Sequence, residues 1–501
     1  MKYVILLVIL LGAFFIPASV FAQQAIGIFD AQSDIGIATK PGHTTYIAQT
    51  QQYIITGAGY NVWFDHDEFH YVYKKIKGDF ILSCKAELSG FEGIEQHRKV
   101  GIMVRKSLDG NSAQVNAVVH GDGLTSLQYR KTAGAMTDEI KAVITHANII
   151  QLERKGTTYT MRVAKFGDPF VTVDVGDLNL GDDVYIGLFA ASHNADVNET
   201  GIFSDVRLTL PFAGISDNTT PMNLGSNLES LEVASGHREI MYTVPYSIQG
   251  PNWTKDGQKI IFNDNKGILS AYSIKDHIAT PINTGTVTNN NNDHVLSFDG
   301  KMIGLSSGVN ALGGSIIYTV PIGGGIPFQV TPRGPSYLHG WSPDGKYLVF
   351  CGERNSEFDI YRVPVKGGKE ERLTTSVGLD DGPEYSPDGK YIYFNSVRSG
   401  LMQIWRMNAD GSNQTQITTD GLNNWFAHPS PDGKNLVMIS FLKEEVEPGR
   451  HPPYKHVYIR MMPVSGGKPK VIAYVYGGQG SINTPSWSPD SKRITFVSNT
   501  Y

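Results

Sequence analysis

Two histidines stand at the same place in two copies of a recurring phrase. Counting back two residues from the tryptophan of YLHGWSPDG reaches His339, and the same count from Leu296 in DHVLSFDG reaches His294. A third, His428 in FAHPSPDG, is offset by one position. Carboxylates flank two of these places: Asp293 precedes His294, and Asp380 and Asp381 precede Pro383 in the next copy. Imidazole nitrogens and carboxylate oxygens are ordinary donors to zinc, manganese and calcium. The chemical expectation is therefore a ligand site, with His294, His339 and His428 as donors to a divalent metal (Mn, Zn or Ca). The bland alternative is that such histidines only bridge strand ends. Arg354 and Arg398 in short loops, Gln479 in GGQGSINTP and the insertion Lys443 to Tyr458 are expected on the same rim.

These positions are set by the phrase that follows them. Its aspartates are Asp256, Asp299, Asp344, Asp388, Asp432 and Asp490, spaced 43, 45, 44, 44 and 58 residues apart, a period suited to four-stranded propeller blades. Ser-Pro-Asp-Gly favours a type I turn, with Pro presetting φ at the second corner and Gly at the fourth. A short strand ends in an aromatic before the turn, and runs such as KYLVF, DIYRVPV and EERLTT follow it as the second, third and fourth strands. Six copies predict a six-bladed β-propeller. The last copy stops after its second strand, and a matching pair within Ser230 to Val244 is expected to complete that blade, which removes open sheet edges.

Residues 23–212 lack the repeat. Alternating runs (DFILSCKAEL, KVGIMVRKSL, DVYIGLFAAS) separated by turn residues predict an all-β sandwich. The polar stretch 213–225 is expected as a linker, leaving 226–501 for the propeller. WFDHDEFH, from Trp63 to His70, reads as one strand with its charges on alternating sides rather than as a metal cluster. Residues 1–22 read as a signal peptide: Lys2, an apolar run from Val4 to Ile16, and Val-Phe-Ala before Gln23. No Cys follows the cleavage point, so a periplasmic or extracellular protein without a lipid anchor or later membrane span is expected. Only 2 Cys occur, Cys84 and Cys351, one in each domain, so free thiols are expected rather than a bridge. With a net charge of −5 and no basic stripe, nucleic acid is excluded as a partner.

From Ser230 to Tyr501 the SPDGK phrases resemble the TolB-like propeller family, whose repeats also occur in prolyl-oligopeptidase-type propellers and some polysaccharide lyases. FHYVYKKIKGDF, KVGIMVRKSL, LQYRKT and VYIGLFAASHN resemble the concanavalin/laminin-G-like jelly rolls of secreted bacterial carbohydrate-active proteins. Together the resemblances imply a glycan-related binding or scaffold protein that holds a ligand or a protein partner at the His-bearing mouth. The alternative is a metal-assisted uronate lyase similar to oligogalacturonate lyases, which hold a metal with histidines and a glutamine near the propeller axis. Those enzymes have seven blades, and no residue here maps onto their base. Such chemistry needs a metal or an Arg against the uronate, for which Arg354 and Arg398 are the candidates. A peptidase is not expected, because no hydrolase domain accompanies the repeats.

Overall fold

The computed structural model describes residues 26–37, 39–90, 95–211 and 224–500. The expected signal peptide, and all but the last two residues of the expected linker, lie outside the described residues.

The first half is a β-sandwich of two seven-stranded antiparallel sheets. One runs in the order Ala31–Ile35, Phe69–Lys77, Asp183–Ala191, Lys99–Arg105, Gln114–His120, Thr125–Arg130 and Asp138–Lys141. The other is centred on Phe80–Ser89 and Asn194–Thr209. Alternation along each strand sends one set of side chains into a shared core that includes Phe80, Leu82, Ile102, Val104, Leu152, Leu188 and Phe203. WFDHDEFH does not form the single strand expected. It folds back on itself, Val62–Trp63 pairing with His66–Asp67 about Phe64 at φ 45°. That turn buries Asp67 completely between Arg105 (2.6 Å) and Arg130 (2.7 Å), so the acid is held as an internal ion pair.

The second half is a six-bladed propeller. Five blades are four-stranded, with innermost strands Ile248–Trp253, Asn290–Leu296, Ser336–Trp341, Asp380–Tyr385 and Leu422–Pro429. The turn phrase is held the same way in all six copies. Its first hydroxyl donates to the Asp carboxylate at 2.6–2.7 Å, from Thr254, Ser297, Ser342, Ser386, Ser430 and Ser488. A backbone N–H two residues beyond the Asp donates to the same oxygen. These bonds hold the Asp344 and Asp388 carboxyls down to about 2. The repeated Asp is thus consumed as a turn acceptor, and the phrase is architecture.

The sixth blade is shared by the two ends of the propeller. Ser226–Glu232 pairs antiparallel with Arg493–Asn499 on one side and with Arg238–Val244 on the other, and Trp487 bridges Ile494 as the innermost element. The closing strand begins at Ser226, four residues before the Ser230 expected, because its ladder follows Arg493–Asn499 along that strand's whole length.

The domains pack against each other. Glu229 of the closing strand is fully buried and takes Arg207 of the sandwich and Arg238 of the propeller, each at 2.8 Å. Phe170 and Ile149 pack on Tyr458, Tyr474 and Val471, and Tyr474 donates to the Asp168 carbonyl at 2.7 Å. Cys84 and Cys351 are free, buried thiols.

Candidate functional site: the non-turn mouth of the propeller

In each of the first five blades the innermost strand loses register before the turn. The breaks fall between Gln249 and Asn252, Asn290 and His294, Leu338 and Gly340, Asp381 and Glu384, and Trp425 and His428. Such bulges re-aim the side chains around them. In three blades the bulge holds a residue in the left-handed region: Gly250, Gly382 and Phe426 (φ 61°, 60° and 53°). Only glycine fits at 382, since a Cβ would stand 2.4 Å from Asn395 Oδ1. Phe426 holds the same conformation without that freedom, in contact with the site described next, where local strain commonly marks function.

The bulges gather a polar cluster from several blades. His339, the extra residue of its strand, places Nε2 3.3 Å from Asp381 Oδ1 and stacks on Phe426 at 5.5 Å. Asp381 Oδ2 faces His451 Nε2 at 4.0 Å. His451 belongs to the long insertion and packs against Trp425 (4.3 Å) and Phe426 (5.3 Å). Gln479 lies beside His451; its backbone N–H donates to the Pro452 carbonyl at 3.2 Å, and its amide to Asn292 Oδ1 at 3.3 Å. Burial pushes the Asp293 carboxyl up to about 6, with the Asp381 charge adding to the rise and His339 opposing it. Burial alone would lower His339, but its bond to Asp381 and the charges of Asp293 and Asp381 prevail and raise it. Burial likewise disfavours the Asp381 charge, yet His339 and His451 together hold its carboxyl below the usual range. Burial lowers His451. Asn292 Nδ2, Asn483 Nδ2 and His451 Nδ1 are buried without a hydrogen-bond partner among the described residues.

Of the nine residues expected at the site, the structure brings together Asp293, His339, Asp381 and Gln479. The other five are placed elsewhere. His294 is fully buried with neither ring nitrogen hydrogen-bonded among the described residues, and its ring lies against the first blade, where a Cβ on Gly250 would come within 3.0 Å of Cε1. Burial holds its imidazole down to about 4. His428 has Nδ1 2.6 Å from Glu384 and Nε2 2.8 Å from the Ile482 carbonyl, so both nitrogens are engaged between blades. Arg354 forms a two-pronged pair with Glu370 at 2.7 and 2.8 Å and also donates to Ser336 and Pro335. Arg398 pairs with Asp380 at 2.6 Å and lies over Trp405 at 4.9 Å. These arginines and Asp380 pin the second strand to its own blade.

The three expected metal donors do not converge, and among the described residues no three His, Cys, Asp or Glu side chains are arranged to hold a metal ion. The residues present do not fit a manganese- or zinc-type centre. A further string, Gly304-Leu305-Ser306-Ser307-Gly308, has the spacing of a hydrolase nucleophile elbow. It lies inside the strand Met302–Val309, where Ser306 accepts the Leu338 N–H at 2.8 Å, so it is a packed strand and not an elbow. His451 is the residue that sequence reading missed. Its only signal was HPPY within an insertion already expected on this rim.

The TolB beta propeller domain (PD40) model matches residues 339–451. The uncharacterized protein Atu1656 of Agrobacterium fabrum (strain C58 / ATCC 33970) is 40% identical over 276 residues, which is 55% of this chain and 92% of the relative. A solved structure described as putative TolB from Agrobacterium tumefaciens is 39% identical, covers 56% of this chain and 99% of its own, and superposes with a TM-score of 0.53. An oligogalacturonate lyase in complex with manganese is 12% identical, covering 76% of this chain and 97% of its own at a TM-score of 0.37, too distant to bear on the site. The aligned length is that of the propeller, and through it the chain belongs to the TolB-type β-propeller family.

Proposed function

We propose that this chain is a periplasmic or extracellular binding protein that holds a partner at the non-turn mouth of its propeller through a basic group of that partner. The observation that carries this reading is the convergence of Asp293, Asp381, His339, His451 and Gln479 from separate blades onto one mouth. Above pH 6 both acids favour ionisation, so acidic charge outweighs the imidazoles, and an ammonium or guanidinium group is the complement. Trp425 and Phe426 lie beside His451 as an aromatic wall. Export rests on the N-terminal sequence; among the described residues no helix is long and apolar enough to cross a membrane. The glycan-related aspect rests on the resemblance of the sandwich to concanavalin/laminin-G-like jelly rolls. The lyase reading gains no support from the site, since both arginines that would face a uronate are paired with acids.

The test is calorimetric titration of the full chain with short Lys- and Arg-bearing peptides and their acetylated or citrulline counterparts. Charged peptides should bind, and Asp293→Asn with Asp381→Asn should weaken them at least tenfold. Equal binding by that double variant, or no preference for the charged peptides, overturns the reading.

A further inference from the structure

A second set of buried polar groups lies in the sandwich. Val100, Ile102, Val104, Val115, Ala117 and Leu127 face the core between the two sheets. Alternation therefore projects Lys99, Gln114, Asn116, His120 and Gln128 from the other side of the first sheet. All five are at most 5% exposed. Polar side chains on the outer face of a sheet are ordinarily solvated, and buried ones ordinarily paired. Here Gln114 Nε2, Asn116 Oδ1, Gln128 Oε1 and His120 Nδ1 find no partner among the described residues.

The charge is equally incomplete. Lys99 donates to Asn61 Oδ1 at 3.1 Å and makes no ion pair among the described residues. Burial lowers its amine to about 8, against the pull of Asp67 and Glu139. Three imidazoles stand in a row beside it, His193 to His97 at 5.2 Å and His97 to His120 at 6.1 Å. Burial drives His120 down to about 2, and the Lys99 charge pushes His120 and His193 the same way. Asp67 and Glu139 act on Lys99 only from beyond ion-pair distance, and Glu139 Oε1 takes the Gln128 amide at 3.2 Å, so the amine itself is left open to an anion. An inorganic anion would serve Lys99 and the donor Gln114, yet leave the carbonyls of Asn116 and Gln128 without donors. Hydroxyl groups donate and accept, and so satisfy both kinds of orphan.

We infer that this face of the sandwich binds an acidic, hydroxyl-rich ligand, a uronic-acid saccharide. Its carboxylate pairs with Lys99, and its hydroxyls bridge Asn116, Gln128 and His120. The site is separate from the propeller mouth and uses none of its residues.

The probes are a hexuronate tetrasaccharide and its neutral hexose counterpart, titrated into the full chain by calorimetry. The acidic saccharide should bind at least tenfold more tightly than the neutral one. Lys99→Met should remove that preference, and Gln128→Leu should weaken both saccharides about equally. Gln128→Leu also keeps the test open if Lys99→Met fails to fold, as judged by its melting curve. The mouth variant His339→Ala should bind both saccharides as the parent does. The inference is overturned if the parent binds neither saccharide, if it binds both equally, if the sandwich variants bind as the parent does, or if only the mouth variant loses binding.

Discussion

His339 Nε2 lies 3.3 Å from Asp381 Oδ1, joining the innermost strands of the third and fourth blades inside a site where both side chains are nearly buried. Each group favours the charged form of the other. The raised imidazole stabilises the fold fully below its ordinary 6.5 and loses that contribution as pH rises through its folded value. The lowered carboxyl stabilises above its ordinary 3.8 and loses that contribution as pH falls. The pair is therefore most stabilising between about pH 4 and 6.5. Asp381→Asn should lower the His339 titration midpoint seen by NMR, and its stability deficit in urea should be widest in that window and shrink on both sides.

Asp293 has the opposite sign. A carboxyl raised by burial to about 6 destabilises the fold when ionised, a penalty absent below 3.8 and complete above 6. Each tenfold change in an acid's ionisation constant on folding corresponds to about 1.36 kcal/mol. Asp293→Asn should therefore stabilise the protein at pH 7 by up to about 3 kcal/mol and leave it nearly unchanged at about pH 3.5. Urea melts at the two pH values measure this; a variant less stable than the parent at pH 7 would refute the assignment.

Glu229 ties the sandwich to the propeller through Arg207 and Arg238. Although burial opposes its charge, the two guanidinium groups hold the carboxyl down to about 2. Glu229→Gln leaves two nearly buried guanidinium groups short of a counter-charge and should cost about 3–5 kcal/mol. In the parent, the stability supplied by this group should disappear between pH 4.5 and 2, a loss missing from the variant. Co-expressed fragments 26–211 and 224–500 should elute together in gel filtration, and Glu229→Gln should loosen that association.

Arg354 separates a structural role from a ligand role. It is 5% exposed and doubly paired to Glu370. Arg354→Met should lower propeller stability by about 3 kcal/mol, with peptide binding at the mouth unchanged in the folded fraction. Loss of binding at full stability would instead return the arginine to the site.

The sequence alone determined the blades. In Ser342-Pro343-Asp344-Gly345 the residues that make the turn are the residues that bond within it, and contacts confined to neighbours in the chain are legible from one copy. The missing half-blade was legible in part, because Arg493–Asn499 needs a partner strand: the completing pair was expected within Ser230 to Val244, and the closing strand is Ser226–Glu232. Which side chains reach the mouth was not. His294 and His339 share a register position before the turn, yet His294 pairs in the ladder with Leu305, whereas His339 is the extra residue of its bulge. The bulge turns His339 toward Asp381, while the space beside Gly250 takes the other ring. His451 arrived from an insertion whose path depends on packing against Trp425 and Phe426. Local turn chemistry is written in consecutive residues, but the aim of a bulged side chain is settled by the neighbouring blade it packs against, and only the closed ring brings those neighbours together.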